Sequence, residues 1–198
     1  MKELLLLAGI MLFGVAASGQ TEAAEQVVLE TNHGRIVIEL DEAAAPVTTA
    51  SFLENVDAGT YDGSIFHRVI PDFMVQGGGF SPELQLIPTD KSLLNEADNG
   101  LKNLRGTVAM ARRGDPHSAS IQFFINLVDN GFLDHTEKTP QGWGYAVFGR
   151  IVEGMEVADA IAEVPRGQRG PMGDVPVEAV VIESAKRASA EEPAETAD

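Results

Sequence analysis

The segment from residue 66 to residue 80 reads FHRVIPDFMVQGGGF, and it says more about the fold than any other part of the chain. Two short runs of β-branched, aromatic and other apolar residues flank a proline at position 71. Such residues favour strands, so the pattern predicts two β-strands joined by a turn. The three glycines that follow predict a bulge or a close approach between two backbones.

Side chains of a strand alternate between two faces, so this strand pair presents two different surfaces. Phe73 and Val75 would share one face, and Met74 and Gln76 the other. A twist or a bulge near Pro71 would bring Arg68 toward the same cleft. One cation, an apolar wall and an amide suit the binding of a peptide, and they lack the nucleophile and base of bond cleavage. Taken alone, the pattern also fits a core strand pair with an incidental arginine.

Further blocks of sequence help to distinguish a peptide-binding site from a core strand pair. They read GTVAMAR at 106–112, SIQFFIN at 120–126, and FLDH at 132–135 followed by YAVFGR at 145–150. In this order, and together with the opening segment, they resemble the cyclophilin family of peptidyl-prolyl cis/trans isomerases. The resemblance runs from about residue 27 to residue 186. It implies a mainly β fold, a closed eight-stranded antiparallel β-barrel capped by two α-helices, with the active groove on its outer face.

The resemblance also implies roles for individual residues. Arg68 matches the family's catalytic arginine, and Gln76 matches the glutamine that fixes the substrate backbone and orients the arginine. Four residues match the proline pocket, namely Phe73, Met74, Phe124 and Leu133. The other positions predicted to line the groove are Ala111, Arg112, Gln122, Phe132 and Tyr145.

Three groove positions depart from the pattern of many eukaryotic members. Phe132 replaces a tryptophan at the rim, Tyr145 replaces a histidine, and Arg112 replaces an asparagine. Bacterial exported members commonly resemble this chain at all three places, so the departures indicate a subfamily rather than a loss of activity. The arginine is expected to add a charge preference to the groove.

Rotation about an X–Pro bond breaks no covalent bond, although its barrier is about 18–20 kcal/mol. Catalysis requires only preferential binding of the twisted amide, so no cofactor and no metal is expected. The predicted partners are proline-containing unfolded or extended polypeptides. An alternative is a chaperone-like peptide-binding module with incidental isomerase activity, and a further one is an assembly partner that recruits a basic protein through its acidic tail.

Length and charge restrict the other classes of function. The chain has 198 residues, which suggests one domain of ordinary size. Thirty acidic residues against fourteen basic ones give a net charge of −16. Such a surface repels nucleic acids and anionic membranes and slightly favours a monomer.

Residue types exclude further kinds of chemistry. The absence of cysteine excludes disulfides, thiol catalysis and thiolate metal sites. The four histidines lack the close spacing of zinc ligands, so no metal site is predicted. Ser118 and Ser120 lie near His117, but no nucleophile-elbow pattern surrounds them.

The two ends of the chain differ from its middle. Residues 4–17 are apolar, too short for a comfortable membrane span and followed by small residues, so residues 1–19 are predicted to be a secretory signal peptide. A buried helix of the mature fold is the alternative. Residues 20–26 would form a short polar lead, residues 27–187 the isomerase domain, and residues 188–198 a disordered acidic tail. Signal removal would leave the protein in the periplasm, with no attachment to the membrane.

Hydrophobic periodicity and turn residues predict the remaining elements. The strands 27–31 and 35–40 flank Asn-His-Gly, as in a hairpin. Pro46 opens a helix that ends near Gly59. Further predicted elements are strands at 107–111, 122–127, 145–152 and 175–185, a helix at 155–161, a long ordered loop at 80–104 and a glycine-rich loop at 166–173.

Overall fold

The computed structural model describes residues 24–188, which form a mainly β protein with two α-helices. The helices are α1 (Pro46–Asp57) and α2 (Met155–Ala162). The strands are β1 (Gln26–Thr31), β2 (Gly34–Leu40), β3 (Phe66–Ile70), β4 (Met74–Gly77), β5 (Thr107–Met110), β6 (Phe123–Asn126), β7 (Val147–Glu153), β8 (Arg166–Arg169), β9 (Met172–Pro176) and β10 (Ile182–Arg187). The predicted signal peptide, and the acidic tail from residue 189 onward, lie outside the described residues.

Eight strands form one antiparallel sheet in the order β10-β1-β2-β7-β5-β6-β4-β3. The sheet curls into a half-barrel. As a result, the residues directly before β3 meet the residues directly before β10. They touch at an isolated bridge between Ile65 and Val181, where the Phe66 N–H donates to the Val180 carbonyl over 2.9 Å. The prediction of an eight-stranded antiparallel sheet with two helices is confirmed, and the two edges are linked by this bridge rather than by a strand ladder.

Aromatic side chains fill the concave side of the sheet. Helix α1 begins at Pro46, as predicted, and packs the fully buried Phe52 against Tyr61, Phe123 and Phe148, with ring centroids 5.0–5.6 Å apart. Burial of each such ring stabilises the fold by about 1.5–3 kcal/mol. The Tyr61 hydroxyl donates to a backbone carbonyl over 2.9 Å, and burial raises its pKa, so the side chain stays neutral.

Two predictions about the C-terminal third are wrong. The segment 166–173 is not a glycine-rich loop, because most of it forms the hairpin β8–β9. The predicted strand 175–185 is not continuous, because β9 ends at Pro176 and β10 begins at Ile182. All four residues of β8 are exposed, so this hairpin lacks the apolar alternation on which sequence patterns rely.

The segment 80–104 is ordered, as predicted, and is tied down along its length. Its backbone bridges to itself between Phe80 and Leu86, and Leu93 bridges to Ala119. The only tryptophan of the chain, Trp143, donates its indole N–H to the Asn95 carbonyl over 3.2 Å. The Trp143 ring also makes edge contacts with His117 and His135, at 4.7 and 5.9 Å between centroids.

Among residues 24–188, the structure contains no helix with the length and apolar character needed to cross a membrane.

Gly154 connects β7 to α2 in a conformation that other residues rarely adopt. Its φ is +86°, and a Cβ atom at this position would overlap the Arg35 carbonyl oxygen on β2. The junction therefore requires glycine both for its backbone angle and for its contact with a neighbouring strand.

We expect Gly154→Ala to lower the free energy of unfolding by about 3 kcal/mol or more, since the left-handed backbone and a backbone clash add to each other. Urea denaturation of the purified variant measures this change. Gly114→Ala is the matched control, because its φ is not positive and nothing lies within 4 Å of the added methyl group. Equal losses for the two variants would contradict the argument.

Candidate peptide-binding groove

An apolar cluster separate from the interior core lies on the outer face of the sheet. The strand register pairs Phe124 of β6 with Gln76 of β4 and with Ala109 of β5, so these side chains share one face. The next residues along, Val75 and Ile125, belong to the interior core. The buried members of the outer cluster are Met74, Ala109, Phe124, Leu133 and Val147, and the partly buried ones are Ile70, Phe73, Leu101, Ala111 and Tyr145.

The predicted catalytic pair lies at one side of this cluster. Arg68 on β3 is directly opposite Gln76 on β4, and the Arg68 side chain is exposed. The Gln76 Nε2 donates to Gln122 Oε1 over 3.0 Å, and the Gln122 carbonyl accepts the Ala111 N–H over 2.9 Å. Arg68 and Gln76 thus lie side by side on neighbouring strands, next to the apolar cluster.

A twist or bulge near Pro71 was predicted to present Arg68, and the structure has a bulge within β3 instead. The β3–β4 register shifts between Phe66 and Arg68, which makes His67 the extra residue. Because the bulge interrupts the alternation of faces, Phe66 and His67 are buried in succession while Arg68 is exposed.

The prediction that Phe73 shares a face with Val75 is also wrong. Strand β4 begins at Met74, and Phe73 belongs to the preceding turn, where Asp72 has a φ of +56°. Strand alternation does not extend to this turn, so Phe73 packs against the outer cluster together with Met74. Its ring stacks on Phe132 with 5.6 Å between centroids and 26° between planes.

Aromatic rings and one arginine form the rim of the groove. The ring of Phe132 is 76% exposed, so it offers an apolar contact surface above the slot. Tyr145 meets Phe124 edge to face at 5.7 Å, and the Arg112 guanidinium lies over the Tyr145 ring at 4.8 Å. The Arg112 Nε also donates to the Gly144 carbonyl over 2.8 Å. All eleven residues predicted from the sequence therefore lie in or beside the groove, and their roles stay a prediction.

A chain of buried asparagines that the sequence analysis did not identify supports the groove from below. Asn130 Nδ2 donates to the Phe73 carbonyl over 2.9 Å and to Asn126 Oδ1 over 2.8 Å. Asn126 Nδ2 donates to Asn103 Oδ1 over 3.2 Å, and Asn103 donates to Asp134. An asparagine directly after the apolar run 123–125 was a usable signal, since a polar residue in a buried strand needs partners.

We expect Asn126→Ala to lower the free energy of unfolding by about 2–4 kcal/mol, because it leaves Asn103 Oδ1 without its donor and removes one of the two acceptors of Asn130 Nδ2. The value of kcat/KM for a proline peptide should fall as well, since Asn130, which donates to the Phe73 carbonyl, loses the Asn126 Oδ1 acceptor that fixes its orientation. Denaturant unfolding and peptide kinetics measure the two effects. The control is Asn55→Ala, which removes one bond to the Ser51 carbonyl within α1. A loss no larger than that of the control would contradict the role of the asparagine chain.

His67 is a buried histidine whose pKa is altered by its surroundings. It is 3% exposed, its ring packs against Phe80 with 4.6 Å between centroids, and its Nδ1 has no hydrogen-bond partner among residues 24–188. Burial lowers the pKa of His67 to about 4, with a hydrogen bond to the Ile65 backbone acting in the opposite direction and the Arg68 charge lowering it further.

This pKa predicts a loss of stability on acidification. An unfolded histidine binds a proton near pH 6.5, whereas folded His67 does so near pH 4, so the unfolded state holds more protons between these values. Stability that is fully present above pH 6.5 is therefore lost as the pH falls toward 4, by about 3 kcal/mol. We expect His67→Phe to lack this component. Parallel stability curves for the two proteins between pH 7 and pH 4 would overturn the assignment.

The groove contains no arrangement suited to covalent catalysis. Ser118 donates to the Asp115 carbonyl and accepts the Arg113 N–H, so it stabilises a turn, whereas His117 Nδ1 accepts the Asn95 N–H and so contacts the segment 80–104. Within residues 24–188, no three histidine, aspartate or glutamate side chains are grouped as metal ligands. The site thus combines an exposed guanidinium, an amide and an apolar cluster.

Comparison with known proteins identifies this class more closely. The family model described as "Cyclophilin type peptidyl-prolyl cis-trans isomerase/CLD" matches residues 26–187, which is most of the chain. The chain therefore belongs to the cyclophilin-type peptidyl-prolyl cis-trans isomerase family.

Individual relatives agree with this family. The chain is 61% identical over 160 residues to the peptidyl-prolyl cis-trans isomerase cyp18 of Streptomyces antibioticus, covering 81% of this chain and 96% of that protein. It is 52% identical over 158 residues to peptidyl-prolyl cis-trans isomerase B of Escherichia coli K12, covering 80% and 96%. A cyclophilin-type isomerase of Cryptosporidium parvum, crystallised in the presence of the dipeptide Ala-Pro, has the same fold, with a TM-score of 0.67, 24% identity, and coverage of 83% and 99%.

Proposed function

We propose that this protein catalyses the cis/trans isomerisation of X–Pro peptide bonds. The observation that carries the proposal is the pairing of Arg68 with Gln76 at the edge of an apolar slot. The similarity of the chain to relatives named peptidyl-prolyl cis-trans isomerases supports the same activity.

The proposed mechanism follows from the difference between planar and twisted amides. Twisting removes amide resonance, so the proline nitrogen becomes pyramidal and more basic. A guanidinium placed near that nitrogen, here Arg68, stabilises the twisted state more than the planar one, which is the condition for acceleration. The slot of Phe73, Met74, Phe124 and Leu133 would hold the pyrrolidine ring while the rest of the peptide turns.

Proline-containing extended polypeptides are the proposed substrates. The dipeptide Ala-Pro present with the Cryptosporidium parvum protein supports this class of ligand. The 76% exposed ring of Phe132 favours, as a second candidate function, the holding of unfolded chains at the same groove. The two candidate functions differ in whether a bound peptide interconverts between its cis and trans forms faster than a free one.

Export is part of the proposal and rests on the sequence of residues 1–19. A removed signal peptide would place the enzyme in the periplasm of a Gram-negative cell, where it would act as a monomer on exported proteins during folding. The net charge of −16 supports a monomer and argues against nucleic-acid partners. The mass of the mature protein purified from its own cell tests the cleavage directly.

Closure of the sheet into a full barrel is also proposed. Its support is the pair of hydrogen bonds on either side of Ile65, from the Phe66 N–H to the Val180 carbonyl at 2.9 Å and from the Ile182 N–H to the Ser64 carbonyl at 2.8 Å. Closure leaves no long unpaired edge, and such edges promote aggregation.

We expect Arg68→Ala to lower kcat/KM for an Ala-Ala-Pro-Phe peptide about a hundredfold, equivalent to roughly 2.7 kcal/mol of transition-state stabilisation. The cis-to-trans rate, measured at matched concentrations of folded protein, gives this number. Arg68→Lys is the control, because it keeps the charge but loses the planar guanidinium. A wild-type protein no faster than the uncatalysed reaction would refute the isomerase function and leave the chaperone alternative.

A further inference from the structure

Among residues 24–188, some basic side chains form ion pairs with carboxylates and others do not. Several of those without an ion pair lie around the groove. The chain has 30 acidic residues against 14 basic ones, so carboxylates outnumber the basic side chains. Among residues 24–188, seven basic side chains lie within 4.0 Å of a carboxylate oxygen. Six in the same part of the chain do not, namely Arg68, Arg112, Arg113, Arg166, Arg169 and Lys186.

Three of these six flank the floor of the groove. The sheet order places β5, β6, β4 and β3 side by side, so Arg68 on β3 and the pair Arg112 and Arg113 after β5 lie on opposite flanks. Neighbouring strands are about 4.8 Å apart, which puts β3 and β5 roughly 14 Å from each other. At about 3.3 Å per residue, an extended peptide of some four residues spans that distance.

Arg112 contributes a charge whose hydrogen bonds are already used within the protein. Its Nε donates to the Gly144 carbonyl over 2.8 Å, its Nη2 donates to the Pro140 carbonyl over 3.1 Å, and its guanidinium lies over the Tyr145 ring. All of these partners are neutral, so they fix the side chain without compensating its positive charge.

Arg113 differs because its backbone is fixed while its side chain is exposed. Its N–H donates to Ser118 Oγ, and its carbonyl accepts Arg112 Nη1, each over 2.9 Å. Within the described residues the Arg113 guanidinium makes no hydrogen bond or ion pair. The nearby Asp115 carboxylate instead accepts the His117 N–H over 2.8 Å. A cation with all its donors available therefore extends from a fixed point two residues beyond Ala111, which packs against the groove cluster.

We propose that Arg113 binds an acidic side chain of the polypeptide in the groove, so that the preferred substrates carry Asp or Glu within about three residues of the proline. Guanidinium and carboxylate can form two parallel hydrogen bonds, and the charges of Arg68 and Arg112 add to the attraction. This inference rests on the proposed isomerase function and names a substrate class for the same groove.

The test uses peptides built on Ala-Ala-Pro-Phe and extended by two alanines at each end. Glutamate, or its neutral counterpart glutamine, is placed one, two or three residues before or after the proline. The ratio of kcat/KM between each glutamate peptide and its glutamine counterpart isolates the effect of charge. The neutral parent peptide reports isomerase activity independently of this ratio.

Three variants assign the effect to one residue. Arg113→Met removes the charge and keeps most of the side-chain length, and Arg113→Lys restores the charge. Lys186→Met is the matched control, because it changes the net charge equally at an exposed position on β10, separated from β5 by β1, β2 and β7.

For at least one position we expect the wild type to prefer glutamate about two- to fivefold, the range of an exposed ion pair. The preference should disappear in Arg113→Met, persist in Arg113→Lys and Lys186→Met, and weaken in 1 M salt. All proteins should retain their rate on the parent peptide. A glutamate-to-glutamine ratio of one at every position, or a preference that survives in Arg113→Met, would overturn the inference. A wild type that does not accelerate isomerisation of the parent peptide would instead refute the proposed function.

Discussion

Strands β4, β6 and β5 separate two apolar regions, and the groove depends on the register between them. Val75, Ile125 and Val108 are paired across these strands and face the interior. Their neighbours Gln76, Phe124 and Ala109 are paired one step along and face the groove. A shift of one residue would exchange the two sets, so the packing of the interior also fixes the groove. Because the interior is fully buried, such a shift would expose large apolar side chains on every strand involved.

The groove itself combines rigid and adaptable parts. Met74, Gln76 and Phe124 lie on strands, where neighbouring ladders fix their positions. Phe73 lies in a turn, and its carbonyl accepts both the Leu127 N–H over 3.0 Å and Asn130 Nδ2 over 2.9 Å. Buried amides are suited to fixing a carbonyl, because a hydrogen bond is strong in an interior without water and a neutral amide adds no buried charge. The functional face of the sheet thus depends on polar contacts that lie beneath it.

Much of the fold and of the candidate site could be predicted from the sequence because both depend on local patterns. Helix α1 was predicted from Pro46 and an apolar stripe, and the central strands from their apolar runs. The residues of the groove came from motifs that resemble a known family. Other features depend on contacts between distant segments and leave weak local signals. The bulge at His67 is defined only by pairing with β4, and strand β8 of the hairpin β8–β9 has no buried side chain that a sequence pattern could reveal.

Electrostatic features were only partly predictable for the same reason. The sequence gives the number of charges, but pairing depends on which side chains meet in space. Arg187, for example, pairs with both Glu25 and Asp57, which are far from it in sequence. Whether an arginine is available for a ligand therefore emerges only when the contacts of all basic residues are compared.

The position of the single tryptophan has a consequence for spectroscopy. Trp143 joins the segment 80–104 to the segment that contains His135, and it is not part of the apolar cluster of the groove. Because the chain contains no other indole, ultraviolet-excited tryptophan emission comes from this junction alone. Changes in that emission report on how the two segments are held together, whereas occupancy of the slot has to be followed through another label.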